Sequence, residues 1–387
     1  MIPYSKQIIS KKDIGAVERV LKSDFLTQGP EVKKFEQKLS NTCNAKYSTI
    51  FNSATSALHI ACLSLGVGKG DTVWTSTNSF VASANCALYC GANIDLIDLN
   101  IKDFNINVDL LEKKLIQSKK KNILPKVIIP VHFGGLPCDM KKIFRLSKKF
   151  NFKIIEDASH ALGAKYFNSK IGSCRYSDIT VFSFHPIKII TTAEGGAALT
   201  NNRKIYEKLD KLRNHGITRN KKFLVNKKKA GWYYEFQELG YNYRINDIQS
   251  ALGSSQIKKL KEWVKHRNRL AKNYFYKLRN LPLQFQQVKK GIVSSYHLFV
   301  ILIKKNKKGI TRDKLYNLLK KKGISTNVHY IPIHTHPYFK KKGFKEKYFL
   351  NAKYYYKNCL SLPMYAGLSF DKQKKIINNL IKIFKKK

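Results

Sequence analysis

The segment Phe182-Ser183-Phe184-His185-Pro186-Ile187-Lys188 places one lysine between a strand-like apolar run (Asp178 to Phe184) and the Gly195-Gly196 turn of Thr191-Thr192-Ala193-Glu194-Gly195-Gly196. Upstream, Ile154-Ile155-Glu156-Asp157-Ala158-Ser159-His160 ends a second apolar run on a carboxylate. A lysine that can form an imine, with an acid that can keep a ring nitrogen protonated, is the pair that pyridoxal phosphate (PLP) chemistry requires. Lys188 and Asp157 are therefore the candidate catalytic residues.

Two further turns have residue types suited to the same chemistry. Asn52-Ser53-Ala54-Thr55-Ser56-Ala57-Leu58 follows a short strand-like run ending at Phe51. Small and hydroxyl residues there leave the first N–H groups of a helix free to hold a phosphate, which the helix dipole also favours. The plainer alternative is an ordinary N-cap by Ser53 or Thr55. In Thr77-Asn78-Ser79-Phe80-Val81-Ala82-Ser83, an aromatic at a helix start can stack on a planar ring, although most such phenylalanines are core residues.

Positioning these groups requires a particular class of fold. Strand patterns at 47–51, 72–75, 94–97, 127–131, 152–156 and 178–184 alternate with helical patterns near 10–21, 55–65, 79–90, 107–118 and 138–149. Short apolar strands separated by helices imply βαβ units and a largely parallel sheet covered on both faces. In such sheets ligands lie beyond the carboxyl ends of the strands, where Asp157, Lys188 and the turn after Phe51 all fall. After about residue 245 the pattern changes. A long helical spacing from Ile248 to Trp263 precedes a strand expected over 295–302 and helices near 311–321 and 371–385. We expect an α/β unit over 1–255 and a smaller α+β unit over 256–387, with residues 1–12 packing against the second.

Composition narrows the partners. The 387 residues hold 73 Lys and Arg against 25 Asp and Glu, a net charge of +48. The lysine runs at 119–121, 227–229, 304–305, 320–322, 340–342 and 385–387 are scattered over expected loops and polar helix faces, with no nucleic-acid-binding motif. They read as solvated surface, and nucleic acid is not an expected partner. A basic nucleic-acid-binding protein, the rival from another class, would explain the charge and none of the motifs. No membrane span or signal peptide is seen, and seven cysteines without a C-x-x-C pair suggest reduced thiols and a cytoplasmic protein without a metal site. Cys86 and Cys90, at i, i+4 spacing, read as core.

Taken together, these motifs resemble the DegT/DnrJ/EryC1/StrS sugar-nucleotide aminotransferases, as do Phe25-Leu26-Thr27-Gln28-Gly29, Arg213-Asn214-His215-Gly216, Gly240-Tyr241-Asn242-Tyr243-Arg244 and Val328-His329-Tyr330-Ile331-Pro332. The resemblance covers nearly the whole chain. It implies the type I fold of PLP-dependent transferases (aspartate aminotransferase-like), with a mostly parallel seven-stranded sheet in the large domain. It also implies a homodimer with active sites at the subunit interface. Under it Lys188 carries the cofactor, Asp157 lies beneath the pyridine nitrogen, and Ala54, Thr55 and Ser183 hold the phosphate. Asn242 reaches that phosphate from the other subunit, His160 lies near the 3-oxygen, Phe80 lies on the ring face, and His329 and Arg244 face substrate.

The Asn52 to Leu58 turn, the Ser183 to Gly196 stretch and Trp232-Tyr233-Tyr234-Glu235 are similar to the pseudaminic acid branch. That branch aminates UDP-2-acetamido-2,6-dideoxy-β-L-arabino-hexos-4-ulose at C4, with L-glutamate as the usual donor. The product is UDP-4-amino-4,6-dideoxy-N-acetyl-β-L-altrosamine. Another UDP- or dTDP-linked 4-keto sugar is the alternative substrate. Lys188 argues against the related C3 dehydratases, in which histidine replaces the lysine.

Overall fold

The computed structural model describes residues 1–226 and 230–385, so the lysine run at 227–229 and the last two lysines lie outside it. The chain opens with helices α1 (Lys11–Leu21) and α2 (Pro30–Cys43), then alternates strands and helices: β1 (Tyr47–Phe51), α3 (Ala54–Ser64), β2 (Thr72–Ser76), α4 (Ala82–Tyr89), β3 (Asn93–Ile97), α5 (Val108–Lys120), β4 (Val127–Ile129), α6 (Met140–Phe150) and β5 (Lys153–Asp157). A small hairpin, β6 (Lys165–Tyr166) and β7 (Ser169–Lys170), precedes β8 (Ile179–Ser183), β9 (Gly196–Thr200) and α7 (Arg203–Leu212). Then come β10 (Ile217–Thr218), β11 (Glu235–Phe236), α8 (Asp247–Gln256) and α9 (Leu260–Leu278). The remainder comprises β12 (Leu283–Phe285), β13 (Ile292–Val293), β14 (Phe299–Ile303), α10 (Arg312–Lys321), α11 (Pro337–Lys341), α12 (Leu350–Asn358), β15 (Cys359–Leu362) and α13 (Phe370–Lys385).

The large sheet has seven strands in the order β1-β9-β8-β5-β4-β2-β3, with β9 antiparallel to both neighbours. Its strands are apolar on both faces, and side-chain alternation sends successive residues to opposite cores. Ile155, Ile179, Val181 and Ala198 join Leu58, Ile60 and Ala61 of α3. Ile154, Phe182, Ala197 and Leu199 join Phe35 and Leu39 of α2 and Ile143 of α6. A three-stranded antiparallel sheet, β12-β14-β15, packs with α9, α10 and α13, and Ile2 belongs to the same cluster. Ile2 also bridges to Ile324.

Local rules account for the start of α1. The Ser10 hydroxyl accepts from the Asp13 N–H at 3.4 Å, and the Asp13 carboxylate accepts from the Ser10 N–H at 2.8 Å. This is a capping box with Asp in the role of Glu, as the sequence suggests.

Three expectations change. The strand expected from 295 begins at Phe299, because Ser295 and Leu298 donate their N–H groups to the carbonyls of Gly135 and Gly134 instead of to a ladder. The long helical pattern over 248–263 is two helices joined by a 3-10 turn at Ile257–Lys259. Gly196, read as part of a turn, is the first residue of β9. No helix among the described residues is long and apolar enough to cross a membrane.

Candidate active site

The candidate residues converge on the edge of the sheet formed by the carboxyl ends of its parallel strands. Gly196, where β9 starts, pairs on one side with Phe51 at the end of β1 and on the other with Ser183 at the end of β8. Asp157 ends β5, the next strand, in register with Val181. The α3 turn, Ser183 and Asp157 are thus neighbours by sheet register alone.

The turn after β1 is held by its own side chains. Ser53 caps α3 by accepting from the Ser56 N–H at 3.1 Å, and Asn52 accepts from the Ser56 hydroxyl at 2.7 Å. The Asn52 N–H donates to the Tyr243 carbonyl at 3.0 Å. Of the two sequence readings, the N-cap is present at Ser53, and Ala54 and Thr55, the first two helical residues, have no carbonyl one turn back. Gly196 has to be glycine: a Cβ there would stand 2.4 Å from the Ala54 nitrogen and 2.5 Å from the Ser53 carbonyl carbon and oxygen. That close approach brings the start of β9 against the first amides of α3.

Lys188 lies on the loop that connects β8 and β9. The loop is pinched at its base by Phe184 N–H to Gly195 carbonyl (2.9 Å) and Thr192 N–H to Phe184 carbonyl (2.9 Å). Ile189 and Ile190 are buried and anchor its far side, and the Lys188 N–H donates to the His185 carbonyl at 2.9 Å. Burial pushes the Lys188 ammonium down to about 8, against the opposing pull of the Asp157 carboxylate. The neutral, nucleophilic amine is thereby accessible near pH 8.

Asp157 is 5% exposed and fixed from two sides. One carboxylate oxygen accepts from the Ser83 hydroxyl at 2.6 Å, the other from the Ser159 N–H at 3.1 Å. His160 is also buried. Its Nδ1 accepts from the Gly134 N–H at 3.3 Å, which places the ring proton on Nε2, 3.0 Å from the Tyr330 hydroxyl. Burial, with Lys188 and His329 nearby, holds His160 well below the ordinary histidine range, so it is neutral. His329 is pushed down to about 3 by burial and by Lys188, and its Nδ1 lies 2.8 Å from the Ser361 hydroxyl. Phe80 is 58% exposed, with its ring centroid 6.2 Å from that of Tyr330.

Asn242 and Arg244 lie on a segment running beside 212–216, where Tyr241 and Tyr243 bond through their backbones to Leu212, Arg213 and His215. Asn242 is exposed, and Arg244 donates to Asn214 at 2.7 Å. The aromatics of this region divide. Tyr241 and Tyr243 turn inward onto His59 of α3 (ring centroids 4.8 and 5.9 Å), whereas Trp232 and Phe236 are 72% and 64% exposed. Arg213, from the same motif, is buried against Glu36 at 2.7 Å and holds α2 to the loop structurally.

Sequence reasoning did not single out Ser83, Tyr330 as the hydroxyl partner of His160, or the N-terminal segment, whose Ser5 donates to the Ile187 carbonyl at 3.3 Å beside Lys188. Tyr330 follows His329 in a quoted motif, but no residue spacing signals its contact with His160.

The residues present fit PLP: an amine of lowered proton affinity, a braced carboxylate near it, an exposed aromatic ring, and uncommitted amides at the N-terminus of α3.

The chain matches the DegT/DnrJ/EryC1/StrS aminotransferase family over residues 7–381. It is 38% identical over 387 residues to the UDP-4-amino-4,6-dideoxy-N-acetyl-beta-L-altrosamine transaminase of Campylobacter jejuni subsp. jejuni, covering 100% of this chain and 98% of that one. Among solved structures it is similar to Helicobacter pylori PseC, an aminotransferase involved in the biosynthesis of pseudoaminic acid. That match has a TM-score of 0.87 at 34% identity and covers 99% of each chain. It is similar also to a Streptococcus pneumoniae protein solved in its PLP-form, with a TM-score of 0.88 at 28% identity, covering 100% of this chain and 99% of that one.

Proposed function

Because the chain belongs to the DegT/DnrJ/EryC1/StrS family and is a PLP-dependent sugar aminotransferase, we propose that it aminates C4 of UDP-2-acetamido-2,6-dideoxy-β-L-arabino-hexos-4-ulose. L-Glutamate is the donor in this reading, and UDP-4-amino-4,6-dideoxy-N-acetyl-β-L-altrosamine the product. The choice of sugar rests on the full-length likeness to the C. jejuni transaminase. The assignment of roles rests on one observation above the others: a partly buried lysine of lowered proton affinity set against the braced Asp157 carboxylate at the sheet edge.

Bound PLP supplies a reactive carbonyl and a ring that takes up the electron pair left when a proton leaves the amino-bearing carbon. Lys188 would hold the cofactor through its side-chain amine, and that amine, once free and neutral, would take the proton from the donor's Cα. Asp157 faces the ring nitrogen and keeps it protonated. Ala54 and Thr55, through the first amides of α3, and Ser183, through its hydroxyl, receive the phosphate. Phe80 covers one face of the site and keeps water from it. His160, neutral and held by the Tyr330 hydroxyl at Nε2, would lie near the cofactor's 3-oxygen. His329 and Arg244 face the nucleotide sugar.

The same reading makes the protein a homodimer in which Asn242 of one subunit completes the neighbour's phosphate site. Asn242 is exposed while Tyr241 and Tyr243 on either side turn into their own subunit, and the exposed Trp232, Tyr234 and Phe236 offer apolar surface for a partner to cover. The cytoplasm is the proposed location.

Substrate choice is tested with a panel of UDP- and dTDP-linked 4-keto-6-deoxy sugars and glutamate, identifying each amino product. We expect the UDP-N-acetyl-arabino-hexos-4-ulose to turn over with the highest kcat/KM. Preference for another sugar or for dTDP would replace the substrate and leave the aminotransferase assignment standing.

A further inference from the structure

The turn that carries Phe80 also carries two serines that the proposed reaction does not use. Ser79 is 2% exposed and Ser83 fully buried; their hydroxyls lie 2.7 Å apart, one helical turn from each other. Ser83 in turn lies 2.6 Å from an oxygen of Asp157. A carboxylate can only accept, so the Ser83 proton is committed to Asp157. The Ser79 proton must then be the one shared with the Ser83 oxygen. The result is a directed chain, Ser79 to Ser83 to Asp157, in which each hydroxyl polarises the next.

Two consequences follow. The chain fixes the rotamer of Asp157, because its second oxygen is held separately by the Ser159 N–H. It also ties the turn bearing Phe80 to the carboxylate, since Ser79 and Ser83 flank that ring in sequence. The face and the nitrogen end of the site are thus set by one hydrogen-bonded unit. We propose that Ser83, backed by Ser79, is a positioning residue that holds the Asp157 carboxylate toward the cofactor's ring nitrogen and keeps Phe80 in register with it. This rests on the reading of Asp157 as the partner of that nitrogen.

Ser83→Ala, Ser83→Thr, Ser79→Ala, the double Ser79→Ala/Ser83→Ala and Asp157→Asn test it. Alanine suits the first turn of a helix, so the Ser83→Ala protein is expected to fold. Three quantities are read: the dissociation constant of PLP from the protein, the position of the bound cofactor's visible absorbance band, and kcat. Removing one charge-assisted hydrogen bond should weaken PLP retention and lower kcat in Ser83→Ala by roughly tenfold each. The band should shift as well. Ser83→Thr, which restores the hydroxyl, should recover the wild-type band and most of both other quantities. The double variant should be no worse than Ser83→Ala, because Ser79 acts only through Ser83.

Wild-type values in Ser83→Ala, equal damage in Ser83→Ala and Ser83→Thr, or additive losses in the double variant would each overturn the relay. If Asp157→Asn keeps the wild-type band and kcat, the reading of Asp157 itself fails and the relay with it. If Asp157→Asn is crippled while Ser83→Ala is normal, only the relay fails.

Discussion

Lys188→Ala is expected to abolish transamination while leaving the fold intact. The loop that carries Lys188 is held by main-chain bonds at Phe184, Gly195 and Thr192 and by the buried Ile189 and Ile190, none of which involves the lysine side chain. Removing that side chain relieves the cost of burying an amine and adds no strain, so thermal unfolding should stay close to wild type. Activity, by contrast, loses both the group that holds the cofactor and the group that moves the proton, and no neighbouring side chain can do either. His160 and His329 are held neutral in place by Gly134 and Ser361. Product formation should fall below detection, with circular dichroism unchanged. The same variant reports on the proposed dimer. Mixed under subunit exchange with an inactive Asn242→Ala protein, it should regain activity, because one heterodimer site then combines intact Lys188 with intact Asn242. Proven exchange without recovery would mean that each subunit builds its site alone.

Asp157→Asn should lower kcat by several orders of magnitude, about 10³-fold, as expected when a preorganised electrostatic partner at the reacting group is lost. The amide keeps the size of the carboxylate but has a single acceptor oxygen, so it retains one of the two bonds that Ser83 and Ser159 donate to separate carboxylate oxygens. It cannot carry the negative charge that keeps a ring nitrogen protonated. The defect should therefore appear in kcat more than in KM, measured by steady-state kinetics with glutamate and the nucleotide sugar. Turnover near the wild-type rate would assign the role to another acid. Glu156, the adjacent acid, faces away and is engaged by His132 at 2.7 Å and by Ser177 and Thr180.

The fold was legible where local rules and global packing agree. The capping box at Ser10 and Asp13, the strand Tyr47–Phe51 and the two-faced apolar strands of the large sheet each carry a pattern that only one placement satisfies. Where tertiary contacts override local preference the pattern misleads. Residues 295–298 have strand composition, but the amides of Ser295 and Leu298 serve the carbonyls of Gly135 and Gly134, and the Ser295 hydroxyl donates to the His160 carbonyl at 2.7 Å. The strand Gly196–Thr200 was hidden because its glycine and alanines lack β-branching; they are small because α3 presses on one end of the strand and both helical layers on its faces.

The candidate site divides in the same way. Lys188, Asp157 and the α3 turn stand at strand ends, which a sequence marks by a change of periodicity. Ser83 contacts a residue 74 positions away and reads in the sequence as one more small helix residue. Tyr330 meets His160 across 170 positions. Such contacts leave no periodic trace, and only the folded chain reveals them.

The most direct test of the central assignment is chemical. The purified protein, loaded with PLP, is expected to be yellow, and borohydride should bleach it by fixing the cofactor irreversibly to one side chain. Peptide mapping by mass spectrometry should place the added mass on the peptide containing Lys188, despite the many other lysines of this chain. An adduct on a different lysine, or none on a protein that still transaminates, would contradict the assignment.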